Sequence, residues 1–138
     1  MIIKYKKLRE EAKAPYRAHI EDAGFDLYCS RCGYEGLNWV CHSDIAFEIP
    51  KGYVGLVFPR SSITNTGMLL GNSVGVIDSN YRGEITAKFR VVNNEHYYRE
   101  GERFAQLIII PYPQVEMSES EELSATERGA GGYGSSGL

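Results

Sequence analysis

The stretch that decides the fold is Ile85-Thr86-Ala87-Lys88-Phe89-Arg90-Val91, in which apolar and polar side chains alternate. Successive side chains of a β-strand point to opposite faces, so this pattern predicts a strand with one buried and one exposed face. Residues 44–49 alternate in the same way, and a further strand, residues 54–58, follows the Pro50-Lys51-Gly52 turn.

Turn residues interrupt the chain at short intervals, and helical periodicity is weak throughout. The nearly continuous apolar run from 104 to 110 predicts a strand buried on both faces, and at most a turn or two of helix is expected near 62–68. Several short strands separated by turns are typical of an all-β barrel or sandwich.

Length and composition exclude several classes of protein. The 138 residues fit one domain, 43% of them are hydrophobic, and the net charge is −3 with no long basic run. We therefore expect no nucleic-acid or membrane partner, and an anionic ligand would need a local cluster of donors. No secretory signal or membrane-spanning run is recognisable, so we expect a cytoplasmic protein, or one inside a host cell if viral.

The three cysteines leave two interpretations open. An odd number argues against a disulfide framework. Cys29, Cys32, Cys41 and His42 could supply the four ligands of a structural zinc site. Neighbouring residues of a strand point to opposite faces, however, which separates Cys41 from His42 and favours ordinary reduced thiols.

The C-terminal stretch Arg128-Gly129-Ala130-Gly131-Gly132-Tyr133-Gly134-Ser135-Ser136-Gly137-Leu138 is too poor in apolar residues to form a core. Glycine, arginine and serine are good donors to phosphate, and tyrosine offers a face for a base. We predict a barrel domain over 1–115, then an acidic linker from 116 and a flexible arm that closes over a ligand.

Four further segments carry candidate functional side chains. Asp26 is a lone acid in an apolar stretch, and Arg60-Ser61-Ser62 follows a strand as a phosphate cradle would. Residues 75–85 predict a hairpin with Asp78 near its tip, and Gln106 interrupts the apolar run. Each also has a plain structural interpretation, as a turn residue, a surface arginine or a core amide.

Taken in order, these five segments resemble the five motifs of the homotrimeric deoxyuridine triphosphatases, the dUTPases. The most specific pair is Gly-Val-Ile-Asp-x-x-Tyr-Arg-Gly at 75–83 and the terminal Arg-Gly-x-Gly-Gly-aromatic-Gly-Ser. The resemblance implies a jelly-roll-like β-barrel subunit of a homotrimer, with active sites at the subunit interfaces and a flexible C-terminal arm.

The resemblance also implies hydrolysis of dUTP to dUMP and pyrophosphate with Mg²⁺ on the triphosphate. This reaction limits uracil incorporation into DNA and supplies dUMP for dTMP synthesis. Asp78 matches the general base, Tyr81 the aromatic ring under the deoxyribose, and Asp26 an acid that holds Mg²⁺ through water. The other matches are substrate contacts: Asn72, Gly75 and Ile77 at the uracil, Arg60, Ser61, Ser62 and Gln106 at the phosphates, and Arg128, Tyr133, Gly134, Ser135 and Ser136 in the arm.

Two alternatives remain at this point. The related dCTP deaminases share the fold but use a glutamate as base, whereas this chain has Asp78 in the third motif. A dUTPase-like trimer could also act as a binding protein that regulates an unknown protein partner. Tyr133 stands where phenylalanine is usual and keeps the stacking face. Ser136 stands where threonine is usual and keeps the hydroxyl.

Overall fold

A computed structural model describes residues 1–137. Within them the chain forms nine strands, one 3₁₀ turn and no α-helix, as the alternating pattern predicted. The elements are β1 (Lys4–Lys7), β2 (Phe25–Tyr28), β3 (Arg31–Glu35), β4 (Asn38–Glu48), β5 (Tyr53–Phe58), the 3₁₀ turn (Ser61–Asn65), β6 (Met68–Leu70), β7 (Gly75–Ile77), β8 (Glu84–Val91) and β9 (Arg103–Pro111).

The strands form two antiparallel sheets that enclose the core. In the first sheet the order is β1-β4-β8-β6, with β3 paired to β4, and in the second it is β2-β9-β5-β7. Phe89 of the first sheet and Phe104 of the second are both fully buried. This arrangement confirms the all-β, jelly-roll-like barrel.

Most of the strands expected from the sequence are confirmed, with qualifications in β4 and β9. In β4 the alternation expected over 44–49 is not seen in burial, since Asp44 and Ala46 are buried together with Ile45 and Phe47. In β9, Phe104 and Leu107 are buried, but Ile110 is 38% exposed. The prediction of burial on both faces therefore holds only for the first half of this strand. The short helical turn expected after residue 62 is the 3₁₀ turn.

The predicted hairpin over 75–85 is wrong. β7 pairs with β5 in the second sheet, whereas β8 pairs with β4 and β6 in the first. Residues 78–83, which we call the crossover segment, therefore pass from one sheet to the other. The segment does begin with a turn, in which the Tyr81 N–H donates to the Asp78 carbonyl at 3.0 Å. A turn signal marks a change of direction, but strand pairing is decided by which faces are buried.

A bulge interrupts the pairing of β4 with β8. His42 faces Thr86 and Ala46 faces Glu84, so residues 43–45 of β4 lie opposite Ile85 alone. Asp44, in the middle of the bulge, has a φ of 52°. A bulge inserts residues into one strand and bends it locally.

The chain leaves the barrel at the end of β9, where Pro111 lies opposite Tyr53. Residues 112–137 are almost entirely exposed. The hydrogen bonds made by residues 113–137 all join residues of that same stretch. Among residues 1–137, no helix has the length and apolar character needed to cross a membrane.

Candidate functional site

Asp26 lies between two arginines. β2 pairs with β9 so that Asp26 faces Gln106, and Arg60 follows the end of β5 on the other side of β9. Arg60 Nε donates to Asp26 Oδ1 at 2.9 Å, and Arg103 Nη1 donates to Oδ2 at 3.0 Å. Both carboxylate oxygens are thus engaged, and the side chain is only 17% exposed.

Serine and amide groups surround this pair. Arg60 Nη1 lies 3.4 Å from Ser62 Oγ, and Ser61 opens the 3₁₀ turn on the surface. Gln106 Nε2 donates to the Pro59 carbonyl at 3.0 Å, which ties the strand to the start of the turn. The sequence candidates that the structure brings together here form the Arg60 cluster: Asp26, Arg60, Ser61, Ser62 and Gln106.

A cavity of about 370 Å³ opens beside the Arg60 cluster. Arg103 and Tyr98 line it, and sequence reasoning missed both. Tyr98 is 4% exposed and its hydroxyl has no hydrogen-bond partner. Burial raises the pKa of Tyr98, so the hydroxyl keeps its proton and can donate to an anion. The one sequence signal for Arg103 is its position at the start of the apolar strand β9, which does not reveal its contact with Asp26.

The candidates of the third motif lie along β7 and just beyond it. A Cβ on Gly75 would lie 3.2 Å from Val57 Cβ and 3.7 Å from Asn72 Nδ2, so the backbone here is close to both. Asp78 follows β7 and is exposed. The 45% exposed Tyr81 donates its hydroxyl to the Glu84 carbonyl at 3.0 Å. We call Asn72, Gly75, Ile77, Asp78 and Tyr81 the Asp78 cluster.

Asp78 and Arg60 lie toward opposite ends of β5, whereas Gly75, opposite Val57, lies near the Arg60 end. Because β7 is antiparallel to β5, Gly75 faces Val57 and Ile77 faces Gly55, which puts Asp78 alongside Val54. Arg60 lies six residues after Val54 in the chain. At about 3.3 Å per strand residue, Arg60 is about 20 Å from Asp78 along the direction of β5. One chain therefore does not bring Asp78 and Arg60 to the same phosphate group.

The arm residues form a third group, apart from both clusters. Arg128 Nε donates to the Gly131 carbonyl at 2.9 Å, and the Tyr133 side chain is fully exposed. Tyr133 and Gly134 have φ values of 50° and 84°, and Ser135 donates its N–H to the Gly132 carbonyl. Arg128, Tyr133, Gly134, Ser135 and Ser136 are therefore free to meet a ligand.

The donor set fits a Mg²⁺ ion that arrives on a triphosphate. Residues 1–137 contain no group of three His, Cys, Asp or Glu side chains that could hold a metal ion. Mg²⁺ keeps several waters and is commonly bound through one or two carboxylates plus substrate phosphates. Asp26, with both oxygens already on arginines, suits contact through water.

The cysteines give no support to the zinc alternative. Cys32 and Cys41 face each other across β3 and β4, and all three thiols are free. The neighbouring His42 is engaged elsewhere, since its ring nitrogens lie 2.8 Å from Glu35 Oε1 and 3.1 Å from Glu84 Oε2. Reduced thiols remain our interpretation.

Comparison with known proteins identifies the family. The dUTPase family model matches residues 10–137. The chain belongs to the dUTPase family. The deoxyuridine 5'-triphosphate nucleotidohydrolase of Nautilia profundicola is 43% identical over 141 residues, with 99% of each chain covered. The family predicted from the motifs is thus confirmed, and with it the enzyme class.

Solved dUTPase structures share the fold. A mutant dUTPase of Staphylococcus bacteriophage 80alpha with dUpNHpp has a TM-score of 0.86 at 30% identity, covering 99% of each chain. A mutant dUTPase of the S. aureus phage phi11, described with a structural Mg(II) ion, has a TM-score of 0.75 at 26% identity. That comparison covers 88% of this chain and 98% of the other.

Proposed function

We propose that this protein hydrolyses dUTP to dUMP and pyrophosphate, with Asp78 as the general base for water attack on the α-phosphorus. The observation that carries the proposal is the position of Asp78, exposed directly after the strand that starts with Gly75. A carboxylate so placed can take a proton from water beside a nucleotide lying along β7. General-base catalysis of this kind contributes about 10²–10⁴ in rate.

The Asp78 cluster would bind the nucleoside. The backbone of Gly75 and Ile77, with the adjacent Asn72, offers N–H, carbonyl and amide groups to the uracil edge. A uracil held tightly against this backbone would leave little room for the thymine methyl group. The ring of Tyr81 would lie under the deoxyribose and exclude a ribose 2′-OH.

The separation of Asp78 and Arg60 supports a composite site. With uracil at Gly75 and the α-phosphate at Asp78, the remaining phosphates extend away from the Arg60 of the same chain. A second copy must then supply Arg60, Ser61, Ser62 and Gln106. We propose a homotrimer with three such sites, as the resemblance to the homotrimeric dUTPases implies; most oligomers of identical chains are closed and symmetric.

Mg²⁺ would accompany the substrate. When bound, it neutralises phosphate charge and orients the triphosphate. Asp26 would meet the ion through a water molecule, while Arg60 and Arg103 hold its carboxylate in place. The chain itself would therefore hold Asp26 in place and direct Arg60 and Arg103 toward the phosphates.

The arm would close the site. We propose that Arg128 contacts the γ-phosphate, Tyr133 stacks on the uracil, and Gly134, Ser135 and Ser136 add backbone and hydroxyl donors. Stacking of an aromatic ring on a base contributes about 1–3 kcal/mol. Closure excludes water and fixes the triphosphate for in-line attack. The division into a barrel over 1–115 and a linker and arm over 116–138 suits this role.

In the cell, this activity would limit uracil incorporation into DNA and supply dUMP for dTMP synthesis. We propose that the protein acts where deoxynucleotide pools are used, in the cytoplasm or inside a host cell.

The test is pyrophosphate release from dUTP, dTTP, dCTP and UTP with Mg²⁺, for the wild type and Asp78→Asn. Hydrolysis of dUTP alone, lost in the variant, is the expected result. Ammonia release from dCTP would point to the deaminase reaction instead. A folded trimer that hydrolyses none of the four would contradict the proposal and favour a binding protein.

A further inference from the structure

Glu84 is the first residue of β8 and directly follows the crossover segment. Its side chain is 18% exposed and makes three contacts with β3 and β4. Glu84 Oε1 accepts the Asp44 N–H at 2.9 Å, and Oε2 accepts Arg31 Nη2 at 3.2 Å and lies 3.1 Å from His42 Nδ1. A carboxylate held by this many donors has little freedom to move.

The partners of Glu84 are themselves fixed. Asp44 is 3% exposed and has a left-handed φ of 52°, a region uncommon outside glycine that aspartate enters more readily than most residues. Its Oδ1 accepts both Arg31 Nε and Nη2 at 3.3 Å, and its carbonyl accepts the Leu8 N–H at 2.8 Å. The bulge is therefore a rigid platform for Glu84.

The crossover segment has mainly local bonds of its own. The Tyr81 N–H donates to Asp78, and Arg82 Nη1 donates to the carbonyls of Ser79 and Tyr81 at 2.7 and 2.9 Å. At one end the segment continues from β7, which has only three residues. At the other end it is tied to Glu84, whose carbonyl accepts the Tyr81 hydroxyl.

We propose that Glu84 is a positioning residue for Asp78 and Tyr81, and that the Arg31–Asp44 pair on the β4 bulge is its anchor. The contacts of the Glu84 side chain with β3 and β4 fix the main chain of Glu84. The fixed carbonyl then holds the Tyr81 hydroxyl, and the turn from 78 to 81 carries that constraint to Asp78. The catalytic consequence rests on the proposed function, but the anchoring does not.

The test compares Glu84→Ala and Glu84→Gln with the control Glu48→Ala. Glu48 is also a glutamate of the first sheet, but it is exposed, and its carboxylate pairs with the exposed Lys4 at 3.4 Å. The first readout is hydrogen exchange of the amides in 78–83, which needs no activity. The second is kcat and KM for dUTP and UTP, since Tyr81 is proposed to discriminate at the sugar.

In Glu84→Ala we expect faster exchange in 78–83 and a loss of kcat/KM for dUTP of about 10- to 100-fold, with weaker discrimination against UTP. Glu84→Gln keeps an oxygen for the Asp44 N–H, so its exchange rates and kcat/KM should lie between those of Glu84→Ala and the wild type. This variant replaces Glu84→Ala if the alanine variant does not fold. Glu48→Ala should match the wild type in both readouts.

Unchanged exchange in 78–83 of a folded Glu84→Ala or Glu84→Gln protein would overturn the anchoring. Faster exchange with wild-type kcat, KM and dUTP/UTP discrimination would overturn the positioning role. If the wild type itself fails to hydrolyse dUTP, the proposed function fails, and the exchange measurement still decides whether Glu84 anchors the segment.

Discussion

Tyr81 folds back over Gly83, whose missing side chain makes room for it. A Cβ at Gly83 would collide with the Tyr81 ring and hydroxyl. We therefore expect Gly83→Ala to displace the ring and lower the ratio of kcat/KM for dUTP over UTP by about tenfold. Steady-state kinetics with both nucleotides measures this ratio.

The matched control is Gly33→Ala. Gly33 lies in β3, and a Cβ there would meet nothing within 4 Å. This variant should keep the wild-type ratio. An unchanged ratio in a folded Gly83→Ala protein would mean that Tyr81 does not discriminate at the sugar.

The raised pKa values of two buried or partly buried cysteines predict that the protein loses stability at alkaline pH. Burial, followed by the nearby Cys29, raises the pKa of Cys32 from 9.0 to about 11. Hydrogen bonding with Cys41 and burial also raise the pKa of Cys29. The unfolded chain therefore loses thiol protons at lower pH than the folded one, so the stabilising contribution is complete below about pH 9 and is lost as pH rises through the folded pKa.

Denaturant unfolding between pH 7 and 11 measures this effect. We expect Cys32→Ser to flatten the decline in unfolding free energy above pH 9 relative to the wild type. Other groups titrate in this range, so the difference between the two proteins is the relevant quantity. Equal slopes for both would contradict the raised pKa of Cys32.

At the scale of elements, the arm is separable from the barrel. Because the hydrogen bonds of residues 113–137 stay within that stretch, deleting 128–138 should leave the melting temperature of the barrel unchanged. The same deletion should lower kcat/KM for dUTP about 100-fold or more, since it removes both stacking and phosphate contacts. Calorimetry and steady-state kinetics measure the two quantities.

Leu123→Ala is the control for the linker, because Leu123 is 91% exposed and outside the proposed site. It should change neither quantity. A truncated protein with full activity would show that the arm does not close the site.

Long strands could be predicted from sequence because their burial pattern is repeated several times. β8 alternates over eight residues, enough to reveal its buried face, whereas in the second half of β4 the sequence alternates but residues 43–47 are all buried. β6 and β7 have three residues each, too few for any period; β6 was not predicted, and β7 was predicted as a strand but with the wrong partner. The hairpin was wrong for the same reason, since local turn residues do not reveal which sheet a three-residue strand joins.

The candidate site divides in a similar way. Within each motif the candidate residues are close in sequence, so they could be selected by residue type and by the order of the motifs. Arg103 could not, because its contact with Asp26 spans 77 residues and exists only through the pairing of β2 and β9. Glu84 likewise acquires its partners only through the bulge in β4.

At the scale of the whole molecule, the proposed site is larger than one chain. Asp78 and Arg60 lie about 20 Å apart along the direction of β5, at the usual rise per strand residue. The acid Asp26 and Arg103 lie at the Arg60 end. We therefore propose that an assembly places these groups on one nucleotide, and mixtures of variant chains can test this.

The test is complementation between two inactive variants. Arg60→Ala and Asp78→Asn should each abolish most dUTP hydrolysis as pure oligomers. When the two chains are co-refolded in equal amounts, a site that takes Asp78 from one chain and Arg60 from its neighbour is intact in about a quarter of cases. Activity of the mixture should therefore rise to about that fraction of the wild type. Mixing Asp78→Asn with the double variant should restore nothing, because no chain then carries Asp78. A mixture no more active than its parts would place both residues in one chain, against the 20 Å separation along β5.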